Sequence, residues 1–581
     1  KAGQRMFFAP VEAIERVMFR TGSERRFPDV DTPADWDGVL DNAGDKAPTA
    51  TFAIANFVTI PEGSPSGDGA FLRYDDYKHY VDYFNTMEDE NIVQAIPNSK
   101  AWEWMMQNVP LFDCPNKAFE EMWYYRWWTL RKHIELTPVG YAMTEFLVNR
   151  NYADKWKLIS SGVGHHIHES RWLRDSTYLD QIVRTWYKGN EGKPMAKLTN
   201  YSSWIAHSLW QRHLVDGRKQ WYIDMLPSLE WEYNHWETTH TRSVTVPTVS
   251  GDSVAGTSAS LYWQEDVRDA MEETISGGRK KKYLRPSINA YMYGNAMAIG
   301  NISVLGGFAA KAQTYFAKAN ALREAVHAKL WNEDQAFFET HRIDSSANVR
   351  EAIGFMPWYT HMAKDEAKYA VAWLQAADEK GFSAPYGLTT AERRHPEFRT
   401  HGVGKCEWDG AVWPFATSQT LTALANFAND YQTSNLKPQT SNLSLDSLFF
   451  AELEKYMQSQ HMRGKPYIGE YLDETTGYWL KGDQERSRYY NHSTWNDLMI
   501  TGLCGLRPRQ DNTIEVNPLL PKDKWDYFCL DNVLYHGHNL TILWDKDGSR
   551  YHAGKGLRVY VDGKLAGHRD TLGRLTIEHA L

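Results

Sequence analysis

The feature that most constrains the fold is a long run of helical patterns between residues 116 and 506. Apolar residues recur there at three- to four-residue spacing, most clearly over Ala309–Leu330, and this is the period of an amphipathic helix. The patterns come in pairs, joined alternately by short turns and by long, aromatic, polar loops. A ring of helical hairpins would gather the long loops at one face, where binding and catalysis usually lie. The predicted helices are 117–135, 139–150, 171–187, 200–214, 218–236, 289–306, 309–330, 365–377, 411–428, 444–459 and 492–504.

On both sides of this run the helical patterns give way to strand patterns. Upstream, Thr51–Ile60 has the pattern of a strand. Downstream, Leu540–Trp544 reads as an apolar strand, and Leu557–Leu565 reads as a hairpin around Asp562 and Gly563, a dipeptide that favours tight hairpin turns. We therefore predict a mainly α protein in three parts: a mixed α/β segment over 1–112, a helical catalytic domain over 113–506 and a small β-sandwich-like domain over 507–581.

Composition excludes several classes of function. The net charge of −9 gives no electrostatic basis for binding nucleic acid, and no apolar run is long enough for a membrane span. The chain has 24 Trp and 32 Tyr, whose flat faces suit both core packing and stacking on sugars. The four cysteines lack CxxC spacing, so zinc is not expected, and the sequence leaves open whether they form disulfides. The chain begins with Lys1 rather than Met, and we expect a processed product.

Two acidic segments suggest the chemistry. Glu470 lies in an aromatic, Gly-flanked loop that leads into a turn over Asp473–Gly477. A second cluster, with Asp266, Asp269 and Glu272, lies far upstream. Hydrolysis of a glycosidic bond needs one acid to protonate the leaving oxygen and one base or nucleophile at the sugar carbon. A pair of carboxyls brought together from distant loops would supply both.

Aromatic and polar motifs elsewhere supply candidates for sugar binding. Indole faces would stack on sugar rings, and charged side chains would hold hydroxyl groups. The three histidines in 164–175 do not form an HExxH motif, so we predict no catalytic metal and leave a structural calcium ion unassigned. The predicted substrate-binding residues are Trp408, Asp409, Trp413, Arg171, His166, Tyr490, Asn491 and Trp495.

At these motifs the chain resembles the glycosidase clan of trehalases, processing α-glucosidases (family sixty-three) and mannosylglycerate hydrolases. The segment 267–270 is similar to the clan's Ser-Gly-x-Asp motif, with Asp266-Val267 in place of Ser-Gly. The segment 408–413 matches its Trp-x-Gly-x-Val/Ile-Trp motif. The segment 470–477 is similar to its Glu-x-Tyr-x-Pro-x-Thr-Gly motif without the proline, and 493–495 is similar to its last Ser/Thr-Trp segment.

This resemblance implies an (α/α)6 barrel and an inverting mechanism. It makes Asp269 the general acid and Glu470 the general base, with Asp266 and Glu272 as rivals for the acid. The hallmark trehalase signatures are absent.

We therefore predict an exo-acting inverting glycoside hydrolase that removes a terminal sugar, by resemblance α-linked, from an oligosaccharide or a plant or bacterial glycan. The class of substrate suggests a periplasmic or secreted enzyme. Two alternatives remain open from the sequence. One is a polysaccharide lyase on the same toroid, using His165, His166, Tyr489 and Tyr490. The other is a glycan-binding protein without activity.

Overall fold

A computed structural model describes residues 68–250, 253–399, 408–435 and 444–581, together with the short strands Val17–Met18 and Thr49–Ala50. The predicted strand Thr51–Ile60 lies outside the described residues.

The described helices lie mainly between residues 117 and 503. Their bounds, in chain order, are α1 (Lys78–Asn85), α2 (Ala101–Asn108), α3 (Lys117–Lys132), α4 (Val163–Ser170), α5 (Ser176–Lys188), α6 (Ile205–Asp216), α7 (Gln220–Thr239), α8 (Pro286–Leu305), α9 (Ala309–Lys329), α10 (Met356–Tyr359), α11 (Ala367–Ala370), α12 (Leu374–Ala377), α13 (Pro414–Asp430), α14 (Leu445–Ser459) and α15 (Asn496–Leu498). A π-helical turn, Met499–Leu503, continues α15.

The helices form two concentric rings. In the inner ring α4, α6, α8, α10, α13 and α15 each pack on the next, and α15 closes the ring against α4. The outer ring consists of α3, α5, α7, α9, α11 with α12, and α14, which alternate with the inner helices along the chain. This is the (α/α)6 barrel that the resemblance implies, and the fold prediction is confirmed.

Burial distinguishes the two rings. The inner helix α8 is buried on almost every side, whereas the outer helix α9 buries only a stripe led by Tyr315, Leu322 and Val326. A helix that is apolar all round belongs in an interior, and an amphipathic helix belongs at a surface. Pro286 and Pro414 open the inner helices α8 and α13, where a missing N–H costs nothing.

Strands are short within the barrel and longer after it. Their bounds are β1 (Val17–Met18), β2 (Thr49–Ala50), β3 (Leu111–Asp113), β4 (Ile134–Thr137), β5 (Gly140–Met143), β6 (Thr241–Ser250), β7 (Ser253–Gln264), β8 (Tyr283–Leu284), β9 (Trp331–Asn332), β10 (Phe337–Phe338), β11 (Ser383–Ala384), β12 (Gly387–Leu388), β13 (His461–Met462), β14 (Lys465–Pro466), β15 (Ile514–Val516), β16 (Tyr527–Tyr535), β17 (His538–Asp545), β18 (Gly556–Val561), β19 (Lys564–Arg569) and β20 (Leu575–Ile577).

The C-terminal region is a small sheet in the antiparallel order β19-β18-β17-β16-β3, with a separate β15–β20 pair. The predicted hairpin is present between β18 and β19, and both Asp562 and Gly563 adopt positive φ, as a type I′ turn requires. The edge strand β3 comes from residues that precede the barrel, so this sheet joins the segments before and after the barrel. The boundaries at 112/113 and 506/507 stay predictions.

One local prediction is wrong, and one element was missed. Residues 139–150 do not form a helix: β5 pairs with β4 around Gly140, whose φ is 125°, and Pro138 together with this glycine favours a turn. The long hairpin of β6 and β7 was not predicted, because its alternating small and polar residues carry little hydrophobic signal.

Cys114, Cys504 and Cys529 are buried free thiols, and Cys406 lies outside the described residues. Among the described helices, none has both the length and the apolar character needed to cross a membrane.

Candidate active site

A cavity of about 570 Å³ opens at one end of the barrel. Its walls come from loops that immediately precede inner helices, including Ser161 before α4, Tyr201 before α6, the segment 265–280 before α8 and Trp413 before α13. The cavity therefore lies at the N-terminal ends of the inner helices. Of the predicted site residues, the structure brings four into its lining: Glu470, Trp408, Trp413 and Tyr490.

A stack of aromatic rings forms one wall. The ring of Trp413 lies between Trp408, at 4.2 Å, and Phe415, at 4.3 Å, with small interplanar angles. The indole N–H of Trp413 donates to Nε2 of His492 at 2.8 Å, so that nitrogen carries no proton. Burial holds the pKa of His492 well below its ordinary value. The stack presents a fixed apolar face of the kind that packs on a sugar ring.

Glu470 lies beside this wall. Backbone hydrogen bonds in both directions between Val412 and Leu472 tie its loop to the Trp408–Trp413 segment. Its side chain is 6 % exposed, and Nη2 of Arg486 lies 3.2 Å from Oε2. The predicted turn over Asp473–Gly477 follows directly. The structure thus holds the Glu470 carboxyl at the cavity wall.

Asp269 does not line the cavity. Its Oδ2 accepts from Nε of Arg285 at 2.8 Å and from the hydroxyl of Ser287, and both charged side chains are fully buried. These contacts attach the segment 265–280 to the start of α8. Asp266 is also buried, and its side chain accepts from the backbone N–H groups of Val267 and Gly278.

Glu272 is the member of this acidic cluster that reaches the cavity. Its Oε2 accepts from the indole nitrogen of Trp408 at 2.9 Å. Burial raises the pKa of Glu272 above its ordinary value, and the negative charge of Glu470 raises it further, against the lowering effect of the Trp408 hydrogen bond. A raised pKa is what a general acid needs near neutral pH.

A third carboxyl, Glu145, was missed from the sequence. It lines the cavity, and its oxygens accept from the hydroxyl groups of Tyr490 and Ser161, the latter at 2.7 Å. Burial raises the pKa of Glu145 to about 7, with a smaller contribution from the charges of Glu470 and Glu272. Sequence reasoning placed Glu145 inside a helix and so gave no reason to select it.

Cationic side chains in the lining were also missed. Arg268, Arg279 and Lys280 come from the segment that carries Glu272. The Arg268 guanidinium lies 5.6 Å from the ring centroid of Tyr201, and Arg279 pairs with Glu273 at 2.8 Å. The signal was present as the basic run at 279–282, which reads from sequence as a solvated loop.

Three of the predicted substrate-binding residues, Asp409, His166 and Asn491, lie behind the cavity wall and outside its lining. Oδ2 of Asp409 pairs with Arg399, with Nε at 2.7 Å. Nε2 of His166 lies 2.7 Å from the carbonyl oxygen of Asn491, whose side-chain amide donates to Thr144. These residues support the loops that carry the lining.

Arg171 and Trp495 are farther away. Arg171 pairs with Asp497 at 2.7 Å and lines a separate cavity of about 240 Å³, formed by the C-terminal ends of the inner helices. Trp495 is fully buried and packs against Phe119 and Tyr456. Among the described residues, no group of three or more His, Cys, Asp or Glu side chains could hold a metal ion.

Barrel and site together define a class, the glycoside hydrolases built on an (α/α)6 barrel. Residues 155–493 match the family model of the mannosylglycerate hydrolase MGH1-like glycoside hydrolase domain. The chain belongs to this family, and it is a glycoside hydrolase. Residues 506–567 match the C-terminal domain of glycosyl hydrolase family 65, and residues 1–36 match a sialidase-like CBM domain.

Several solved structures are similar to this chain. A chain named sialidase is 60 % identical, with a TM-score of 0.83 over 96 % of this chain and 49 % of its own length. The present chain thus spans about half of that relative. The GH78 rhamnosidase of Bacillus sp. GL1 is 11 % identical, with a TM-score of 0.50 over 78 % of this chain and 41 % of its own, a likeness of fold alone. A GH63 mannosylglycerate hydrolase from Thermus thermophilus in complex with glucose is 11 % identical, with a TM-score of 0.45 over 65 % of this chain and 98 % of its own.

Proposed function

We propose that this glycoside hydrolase is exo-acting and inverting, with Glu272 as general acid and Glu470 as general base. One observation carries the proposal: these two carboxyls come from distant loops and line the same cavity, beside the stacked rings of Trp408 and Trp413. The resemblance to the trehalase and family sixty-three clan favours an α-linked terminal sugar.

Glu272 takes the acid role in preference to Asp269. It lines the cavity, and its raised pKa keeps a proton available for the leaving oxygen. The Asp269 carboxyl is bound by Arg285 and Ser287 away from the cavity. Asp269 is then a positioning residue, which anchors the loop that presents Glu272.

Glu470 takes the base role. In an inverting enzyme the base removes a proton from the water that attacks the opposite face of the sugar. Glu470 is positioned by the paired strand-like segments around Val412 and Leu472 and carries Arg486 at its side. A proton would pass from water to the Glu470 carboxylate as the acid loses one to the leaving group, so the site returns to its starting state by proton exchange with solvent.

The size and position of the cavity support exo action. A volume of about 570 Å³ at one end of a barrel suits a small ligand. A terminal sugar would lie against the Trp408–Trp413 wall, with Tyr490 among its hydroxyl partners. The substrate we propose is an oligosaccharide or a plant or bacterial glycan, which fits a periplasmic or secreted enzyme.

The experiment compares wild type with Glu272→Gln, Glu470→Gln and Asp269→Asn on α- and β-linked disaccharides, aryl glycosides and plant oligosaccharides. We expect inverted product from wild type and at least a roughly hundredfold lower kcat in both Gln variants, because each removes a group used only in the transition state. If Asp269→Asn remains folded and Glu272→Gln retains full activity, Glu272 is not the acid.

An aryl glycoside with a good leaving group separates the two roles. Such a leaving group needs little help from an acid, so Glu272→Gln should regain much of its activity on it, whereas Glu470→Gln should not. The opposite pattern would exchange the two assignments.

A further inference from the structure

The cavity lining holds two more carboxyls than inversion requires, Glu145 and Glu265, and of these two only Glu145 is buried. Glu272 and Glu470 supply the acid and the base of the proposed mechanism, yet Glu145 lines the same cavity and is 5 % exposed. A buried carboxyl is costly unless its oxygens have partners. Its surroundings therefore indicate what it does.

The partners of Glu145 are two neutral hydroxyl groups. Tyr490 donates to Oε1, and Ser161 donates to Oε2 at 2.7 Å. Each carboxyl oxygen can accept two hydrogen bonds, so each retains acceptor capacity beyond these contacts. Tyr490 and Ser161 also line the cavity. The arrangement fixes the direction of the carboxyl and leaves it able to accept a hydroxyl from a ligand.

Glu145 lies on the side of the cavity that carries the base. Tyr490, whose hydroxyl donates to Glu145, is tied to the loop that carries Glu470. The backbone N–H of Tyr490 donates to the carbonyl of Ile468 at 3.2 Å, two residues before Glu470. In the proposed mechanism the base faces the terminal sugar, and the acid faces the leaving group. A ligand group that meets Glu145 therefore belongs to the terminal sugar.

Glu232, a second buried carboxyl in the same barrel, is an example of a carboxyl with similar partners but no contact with the cavity. Glu232 is buried, accepts from the Tyr187 hydroxyl and accepts from Ser203 at 2.7 Å. Its partners match those of Glu145 in kind, but Glu232 does not line the cavity. Of these two carboxyls, Glu145 alone combines the hydroxyl cradle with the cavity wall.

We propose that Glu145 binds a hydroxyl group of the terminal sugar and is a specificity-determining residue of that subsite. The proposal rests on the proposed function, because it takes this cavity as the sugar pocket. It requires no covalent or redox step.

The test measures binding, so it does not depend on turnover. Wild type, Glu145→Gln and the matched control Glu232→Gln are titrated with free pentoses, hexoses and 6-deoxyhexoses by saturation-transfer NMR and calorimetry. We expect Glu145→Gln to weaken the best-binding sugar about tenfold, since a hydrogen bond between the sugar hydroxyl and the carboxyl is lost. Glu232→Gln should bind as wild type does. Equal affinity of wild type and Glu145→Gln, or no sugar bound by wild type, would overturn the proposal.

Monodeoxy analogues of that sugar identify the contact. One of these analogues lacks the hydroxyl group that Glu145 binds. Wild type and Glu145→Gln should bind that analogue with equal affinity. A purely structural role of Glu145 would not produce this result. If Glu145→Gln does not fold, Glu145→Asp replaces it, because the shorter side chain keeps the charge but withdraws it from the sugar. A constant affinity ratio across all analogues would contradict the assignment.

Failure of the proposed function would look different. Activity that survives Glu470→Gln, or a retained product, would contradict the mechanism and leave these binding results unchanged.

Discussion

The indole nitrogen of Trp408 donates to Oε2 of Glu272 at 2.9 Å, while the ring of Trp408 stacks on Trp413 at 4.2 Å. One side chain therefore forms part of the proposed sugar-binding wall and also holds the proposed acid. In the proposed mechanism, sugar stacking and the protonation of Glu272 are coupled through Trp408.

This coupling predicts the effect of Trp408→Phe. The hydrogen bond from Trp408 lowers the pKa of Glu272, so its loss should raise that pKa. The acid must be protonated to act, and the alkaline limb of the kcat profile should move to higher pH. The measurement is kcat against pH beside Trp413→Phe, which leaves Glu272 untouched. A shift to lower pH, or the same shift in both variants, would contradict the coupling.

The Asp269–Arg285 ion pair predicts a large loss of stability in Asp269→Asn. Both side chains are fully buried, and breaking such a pair leaves an uncompensated charge at a cost of about 3–5 kcal/mol. The exposed pair Lys78–Asp82 is the control, and Asp82→Asn should change the free energy of unfolding by less than about 1 kcal/mol. Urea unfolding measures both. Equal, small changes would show that the buried pair does not anchor the loop.

Glu145 predicts a difference in the pH dependence of stability. Its pKa is about 7 in the folded protein against an ordinary value of 4.5, so the folded state holds this proton more tightly than the unfolded state. The favourable contribution is complete below pH 4.5 and is lost as pH rises through 7. The difference is about 2.5 units, or about 3 kcal/mol.

Glu145→Gln removes this titration. The free energy of unfolding of the variant should therefore gain about 3 kcal/mol relative to wild type between about pH 4.5 and about pH 8. Urea unfolding of both proteins across that window measures it. A difference that stays constant with pH, or that changes in the opposite direction, would contradict a raised pKa at Glu145.

The turn after Glu470 predicts a steric effect at Gly477. This residue has φ of 72°, and a Cβ atom there would lie 2.4 Å from the Tyr386 ring. Gly464 has φ of 75° and nothing within 4 Å of such an atom. Gly464→Ala should cost only the backbone strain, about 1 kcal/mol.

Gly477→Ala should cost more than Gly464→Ala and should lower kcat, since the turn that follows Glu470 must move. Denaturation curves and kcat for the two variants provide the comparison. Equal costs and unchanged kcat would mean that the Tyr386 contact does not position the Glu470 loop.

The helices were predictable because helical periodicity is a local property that each hairpin carries in its own residues, and their (α/α)6 arrangement was implied by the family resemblance. Glu470, Trp408 and Trp413 were predictable for a related reason, since each lies in a short, recognisable motif of its own. Helical periodicity and short motifs can both be recognised in a single sequence.

The sequence did not predict which carboxyl of the upstream acidic cluster reaches the cavity. Ala270, which has φ of 61°, lies between Asp269 and Glu272, and this left-handed residue changes the direction of the chain between them. A sequence pattern does not show which of two such carboxyls then faces the cavity. Glu145 was missed because a helix was predicted over 139–150, where the chain forms strand β5 and then the loop that carries Glu145.

The position of Arg171 could not be predicted from its neighbours in the sequence. It immediately follows the inner helix α4, which spans Val163–Ser170 and at about 1.5 Å per residue carries the chain about 12 Å along the barrel axis. Residues on the two sides of this helix therefore belong to opposite ends of the barrel. Closeness in sequence to Ser161 did not imply closeness to the cavity.

Inversion by Glu272 and Glu470 can be tested through the anomeric form of the first product. Proton NMR during the first minutes of hydrolysis, before mutarotation, reports it. We expect a product of configuration opposite to that of the substrate, formed by wild type and absent in Glu470→Gln. A first product that retains the configuration of the substrate would contradict inversion.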